Sequence, residues 1–180
     1  MRLHTHHKER FAGPVSSEFV DGLPTARRQW RRAGRFLLAL RVLGAVALLA
    51  TGAVHLQQYA QFYSEIPTIG TLFVLNVVAA TVLALALLAP LERFGGRLGN
   101  ALLTFVALAG IALAATAFTF LLISEHTPLF GFREPGYDPT AIAASRVAEI
   151  AAVAFLGLFL AGRFWLKAPM RRWQSPMPRR

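Results

Sequence analysis

The chain has no cysteine, only two lysines (Lys8 and Lys167), and few acidic residues: nine Asp and Glu against 19 Lys and Arg. The missing cysteines exclude disulfides, thiolate metal sites and cysteine nucleophiles. Charged residues of either sign make up only 16% of the chain, while hydrophobic residues reach 55% and the mean hydropathy is +0.48. That balance is too apolar for an ordinary soluble domain, so the membrane class comes first. The net charge of +10 would suit a nucleic-acid ligand in a soluble protein; here its location along the chain decides.

Four apolar runs are long enough to cross a hydrocarbon layer of ~30 Å, which takes about 20 helical residues. They cover about 36–56, 67–89, 101–124 and 139–165. Pro90 and Pro128 stand just beyond the second and third. The fourth opens on "DPTAIAAS", where Asp138 can cap and Pro139 can take the first helical position. The adjacent arginines of "RRAGRFLLAL" resemble the start of a cleaved signal. The run is too long for that, Arg41 interrupts it, and three further spans follow. The fold class expected is all-α, a polytopic transmembrane four-helix bundle over 36–166. It is flanked by a disordered basic arm, 1–35, and a basic tail, 167–180.

Eight basic residues precede the first span, Arg93 and Arg97 lie between spans two and three, and six follow the core of span four. The other two connections hold only Arg133 against Glu65, Glu125, Glu134 and Asp138. By the positive-inside rule both termini and the middle loop are cytoplasmic, and the protein is a multi-pass protein of the cell membrane. Trp30, Trp165 and Trp173 fall on the inner side; Tyr59, Tyr63 and Tyr137 fall on the outer. The positive charge then lies beside anionic lipid, and nucleic acid is not expected as a partner. "HTHH" (His4, His6, His7) reads as solvated tail.

The polar residues inside the spans gather toward the outer half. His55 shares a helical face with Thr51, Gly52, Gly44 and Arg41, a small or polar face broken by Leu48. Arg41, about one turn inside the inner boundary, can snorkel back to the cytoplasm. In "SRVAEIAAVAFLG", Glu149 lies on a stripe with Ser145, Ala152, Val153 and Gly157, which turns it toward the bundle. Arg146 is a candidate partner on its own helix. Counting rise per residue brings Glu149, Asn76 and Thr116 to a similar depth, with Arg146 and His55 above. The expected polar cluster is therefore His55, Asn76, Thr116, Arg146 and Glu149. Its rim and lid would be Tyr59, Tyr63, Glu125, His126, Phe130 and Phe132. The loop "EHTPLFGFREPGYDP" is unusually apolar for solvent and reads as a lid folded onto the bundle, or as a segment anchored in the interface.

"HLQQYAQFYSEIPTIGTLFVLN", followed by "PLFGFREPGYD" and "RVAEIAAV", resembles small four-span integral membrane proteins of high-GC Gram-positive bacteria, over roughly 36–166. More loosely, the chain resembles the DoxX-like four-helix membrane proteins. The resemblance implies a complete small protein of the cytoplasmic membrane and brings no activity with it.

Three functions fit the residues. The favoured one is a non-enzymatic accessory, scaffold or envelope component whose outer polar groups lock helix register. The second is a proton-, ion- or small-molecule-handling protein using Glu149 and His55. Against it, no polar path leads from Glu149 through the inner half. The third is a metal- or haem-dependent oxidoreductase drawing on His55, Glu125, His126 and Glu149, whose spacing matches no metal motif. No cofactor, metal site or catalytic residue is expected. The partners expected are membrane lipids, and a second copy of the chain or another membrane protein.

Overall fold

The computed structural model describes residues 17–134, 136 and 138–172, without the side chains of 17–30, 94 and 166–172. His4, His6, His7, Tyr137, Trp173, the side chain of Trp30 and the end of the basic tail lie outside the described residues. The chain separates into two units, Met1–Arg35 and Phe36–Arg180. The first was expected to be a disordered arm, yet helix α1 (Ser17–Gln58) begins within it. Beyond Pro24 the arm is rich in Arg and Ala, both strong helix formers.

The second unit holds the rest of α1, a π-turn at Tyr59–Tyr63, α2 (Pro67–Leu88), a 3-10 turn at Leu91–Phe94, α3 (Gly96–His126) and α4 (Pro139–Arg172). No strand occurs among the described residues. All four helices are long and apolar enough to cross a membrane. Prolines set several of their limits. Pro67 opens α2, and Ala89, held extended before Pro90 (φ −66°, ψ 144°), ends it. Thr127 before Pro128 does the same for α3 (φ −133°, ψ 145°). α3 starts ahead of the expected 101, at Gly95 and Gly96, whose φ of 82° and 53° suit glycine. Asp138 caps α4 by accepting the backbone N–H groups of Thr140 (3.1 Å) and Ala141 (3.0 Å).

The core is built from glycine sockets and leucine knobs. A Cβ on Gly44 of α1 would stand 2.4 Å from Leu156 Cδ2 of α4. One on Gly110 of α3 would stand 2.9 Å from Leu156 Cδ1 and 3.0 Å from Leu48 Cδ1. Leu48, the bulky break in α1's small face, thus fills the hollow at Gly110, while a Cβ on Gly52 would stand 3.4 Å from Ala80 of α2. On α4 the packed stripe is Ser145, Ala148, Glu149, Ala152, Leu156, Phe159 and Leu160. Val153 is only half-buried, and Gly157, expected on this stripe, faces open space. Steps of four advance about 40° each on a helix of 3.6 residues per turn, so 145–149–153–157 drifts off the face that 145–149–152–156 follows. Away from the core every helix exposes large apolar residues, among them Val46, Val82, Phe105 and Ile150.

Candidate functional site

The two ends of the bundle treat their polar groups differently. At one end Arg41, only 6% exposed, donates from Nε to the carbonyl of Leu87, from a terminal nitrogen to that of Ala89, and from the other to the Glu92 carboxylate. The last carbonyls of a helix have no intrahelical partner and carry the negative end of its dipole. Arg41 closes the end of α2 rather than reaching for solvent as expected. Nearby, Arg163 of α4 donates to Asn100 Oδ1 of α3 at 2.7 Å and lies 5.3 Å over the Phe159 ring.

Toward the other end lies a cavity of about 380 Å³ walled mainly by apolar side chains, among them Leu72, Phe73, Leu113, Phe120 and Ile142. Glu149 lines it and is 1% exposed. Its Oε1 accepts from Ser145 Oγ at 2.9 Å, and its Oε2 has no partner. Asn76 of α2 lines the same cavity at 8% exposure, and its Oδ1 also has none. His55 of α1 contributes a ring 4.9 Å from Phe73. Its Nδ1 lies 2.9 Å from the Thr51 carbonyl. A carbonyl only accepts, so Nδ1 carries a proton; in a neutral ring Nε2 then offers a lone pair. Thr116 of α3 completes the set.

Four of the five expected cluster residues therefore line one cavity. Arg146 does not. It donates to both carboxylate oxygens of Glu125 on α3, a rim pair whose partial exposure lowers the desolvation penalty. Among the described residues no group of three or more His, Asp or Glu is placed to hold a metal ion.

The roof comes from the π-turn and the loop after α3. In the π-turn the Ser64 N–H reaches back to the Tyr59 carbonyl at 3.0 Å. One extra residue per turn rotates the side chains beyond it, and such turns recur at functional sites. Here Tyr63, expected on the rim, is buried. Its hydroxyl donates to Glu134, and its ring stacks 4.8 Å from Phe73 and edge-on 5.4 Å from Phe132. Tyr59 stays beside Gly70, where a Cβ would come within 3.3 Å of its ring and 2.8 Å of the Tyr63 carbonyl.

The loop folds onto the bundle. Leu129 and Phe132 pair their backbones at 2.7 and 3.0 Å around Phe130 and Gly131, both with positive φ (52° and 81°), as in a tight type I′ turn. Phe130 is exposed, 6.2 Å from Phe120. The Glu134 N–H bonds the Ser124 carbonyl at 2.9 Å, and Gln58 Nε2 donates to Asp138 Oδ2 at 3.1 Å. His126 is exposed on the rim, its Nδ1 on the Leu122 carbonyl at 2.9 Å. Gln58, Phe73, Phe120, Ser124 and Glu134 line the cavity without having been expected there. An acid two residues after Phe132 in an apolar loop was the one available signal, and it pointed to Glu134.

Of the lining residues, only Leu75 (59% exposed) and Thr116 are exposed. They belong to α2 and α3, so the cavity opens sideways between these helices, while the loop covers its end. No family model, curated protein or solved structure matches the chain significantly.

Proposed function

We propose that this is an integral membrane protein that binds a small, largely apolar molecule in the cavity beside Glu149, and that it is a binding protein, not an enzyme. One observation carries the reading. Glu149 Oε2 and Asn76 Oδ1 are buried at the wall of one cavity with no protein partner. An unsatisfied buried acceptor costs about 1–3 kcal/mol, and polar groups within apolar spans are kept mainly where they serve function. The volume is that of a small-molecule site, at the lower end of ~300–1,000 Å³.

A scaffold whose polar groups lock helix register needs bonds between spans. Glu149 bonds only Ser145 on its own helix, whereas the side-chain bonds that join helices belong to Arg41, Arg146 and Arg163, with Gln58 tying α1 to the cap of α4. Ion transfer across the bundle has no support either, because Leu48, Ala107, Leu156 and Leu103 close the core toward the Arg41 end. For the oxidoreductase reading, no group of three or more His, Asp or Glu among the described residues is placed to hold a metal.

Membrane location is supported by the four long apolar helices and by apolar side chains exposed on all of them. The arginine asymmetry supports cytoplasmic termini, anionic lipid at the flanks and a cavity in the outer half of the cell membrane. The likeness to small four-span membrane proteins belongs to the same proposal. Because the chain has no cysteine, single cysteines report sidedness. Ser64→Cys and Thr127→Cys should react with an impermeant thiol reagent on intact cells and Ser175→Cys should not; the reverse pattern inverts the topology. The binding reading is tested by native mass spectrometry of protein purified in mild detergent. It should carry a bound small molecule that Ala117→Phe, filling the cavity, removes. A parent chain as empty as that variant overturns the reading.

A further inference from the structure

Two buried side-chain atoms at the cavity wall lack a protein partner, and both are oxygens. Glu149 Oε2 and Asn76 Oδ1 have no partner, and neutral His55 offers Nε2 because Nδ1 is engaged by the Thr51 carbonyl. Tyr63 and Ser145 already give their hydroxyl protons to Glu134 and Glu149. Arg146, three residues before Glu149, is paired with Glu125. The site thus presents a carboxyl group whose Oε2 has no hydrogen-bond partner, beside a second unpartnered oxygen, on a mainly apolar wall.

A carboxylate buried this way is stabilised by a cation that brings its own N–H donors. The access route adds a second constraint. The exposed lining residues, Leu75 and Thr116, sit on α2 and α3, and the neighbouring exposed surface is Val74, Val78 and Val82 on α2 and Leu122 on α3. A molecule entering there comes through an apolar surface, not past the loop.

We infer that the cavity takes a lipophilic ammonium: an apolar body entering sideways from the hydrocarbon between α2 and α3, with its charged head docked on Glu149 Oε2 and Asn76 Oδ1. The inference rests on the binding reading above and names the ligand's chemistry and its door. The apolar body lies against Phe73 and Phe120, and the head supplies N–H donors and a positive charge to the two unpartnered oxygens.

The test uses the full chain in lipid nanodiscs and an alkylamine carrying a terminal diazirine, with labelled residues mapped by mass spectrometry. Labels should fall on the α2 and α3 wall, at Ala79, Leu113 or Ala117. Octylamine should compete about tenfold better than 1-octanol or octanoate, the factor that one charge-assisted hydrogen bond supplies. Glu149→Gln should erase that preference while leaving the thermal midpoint in place; Asn76→Leu is the second variant if the first does not accumulate. Leu75→Trp, which narrows the door, should slow labelling. Equal competition by octanol, or a preference that survives Glu149→Gln, overturns the ammonium assignment while cavity binding stands. Labelling unchanged by Leu75→Trp overturns the door. No labelling of any lining residue by amine or alcohol probe overturns the binding reading itself.

Discussion

Arg41 and Glu149 are both ionisable and both buried within apolar helices, at 6% and 1% exposure, yet their surroundings are opposites. Arg41 makes three bonds to another part of the chain, two of them to carbonyls at the C-terminal end of α2. Glu149 makes one, to its own helix, and leaves an oxygen facing a cavity. Around Arg41 the helices interlock through Gly44, Gly110, Leu48 and Leu156; around Glu149 they stand apart and enclose about 380 Å³. A buried ionisable group that is well partnered holds a structure together, and the one left incomplete is what the binding proposal rests on.

The sharpest way to break that comparison is to remove Arg41. Arg41→Met strips a charged donor from the carbonyls of Leu87 and Ala89. With hydrogen bonds to charged groups worth about 1.5–3 kcal/mol each, the bundle should lose about 3 kcal/mol or more, read as chemical unfolding in detergent. Glu92→Gln is the internal control. The Glu92 side chain is 52% exposed, so the loss should stay within about 1 kcal/mol. Equal losses would mean the ion pair, not the helix end, is what Arg41 serves.

The roof comes next. Tyr63→Phe keeps the ring contacts with Phe73 and Phe132 and removes only the hydroxyl that Glu134 accepts. A loss of about 1–3 kcal/mol is expected for a buried acceptor left behind. Hydrogen exchange should rise over 127–138 before it rises in the helices, since the loop is otherwise tied down by Ser124 and Gln58. Uniform exchange would show that the loop is no separate lid.

Two glycines compare the packed and open faces directly. Gly44→Ala drives a Cβ to 2.4 Å from Leu156 and should cost about 1–3 kcal/mol, the range for overpacking. Gly157→Ala meets nothing within 4 Å and should be neutral, or stabilising by up to ~1 kcal/mol from helix propensity. A penalty at Gly157 would mean another chain packs there.

The helices were legible because each is an apolar run of bilayer length, punctuated by Pro67, Pro90, Pro128 and Pro139. That four of the five cluster residues share a cavity was also legible, since rise per residue puts His55, Asn76, Thr116 and Glu149 in the same half. Three other features were not. The partners of Arg41 lie 46 to 51 residues away, and nothing local announces them. Arg146, three residues before Glu149, could pair on its own helix or reach across it, and only the placement of Glu125 decides. Small residues carry a third ambiguity. Gly44 marks close approach, whereas Ala79 and Ala117 border a hollow; the difference lies in helix spacing, which a residue pattern does not contain.

The smallest expected effect on stability is the most informative. Glu149→Leu deletes a carboxyl that the protein only half satisfies and puts an apolar side chain of similar volume at the cavity wall. Replacing buried charges by well-packed apolar groups is often neutral or stabilising by about 1–4 kcal/mol. The Ser145 hydroxyl, released from Oε1, can turn to the Ala141 carbonyl four residues back, as Thr51 does to Ala47 at 3.1 Å. The unfolding midpoint should therefore stay level or rise, while the bound molecule and the preference for octylamine disappear. Stability and binding would then move apart, which no register-locking role for Glu149 allows. A loss of ~3 kcal/mol instead would place Glu149 with Arg41 as a structural charge, and the difference between the two ends of the bundle would lose its functional meaning.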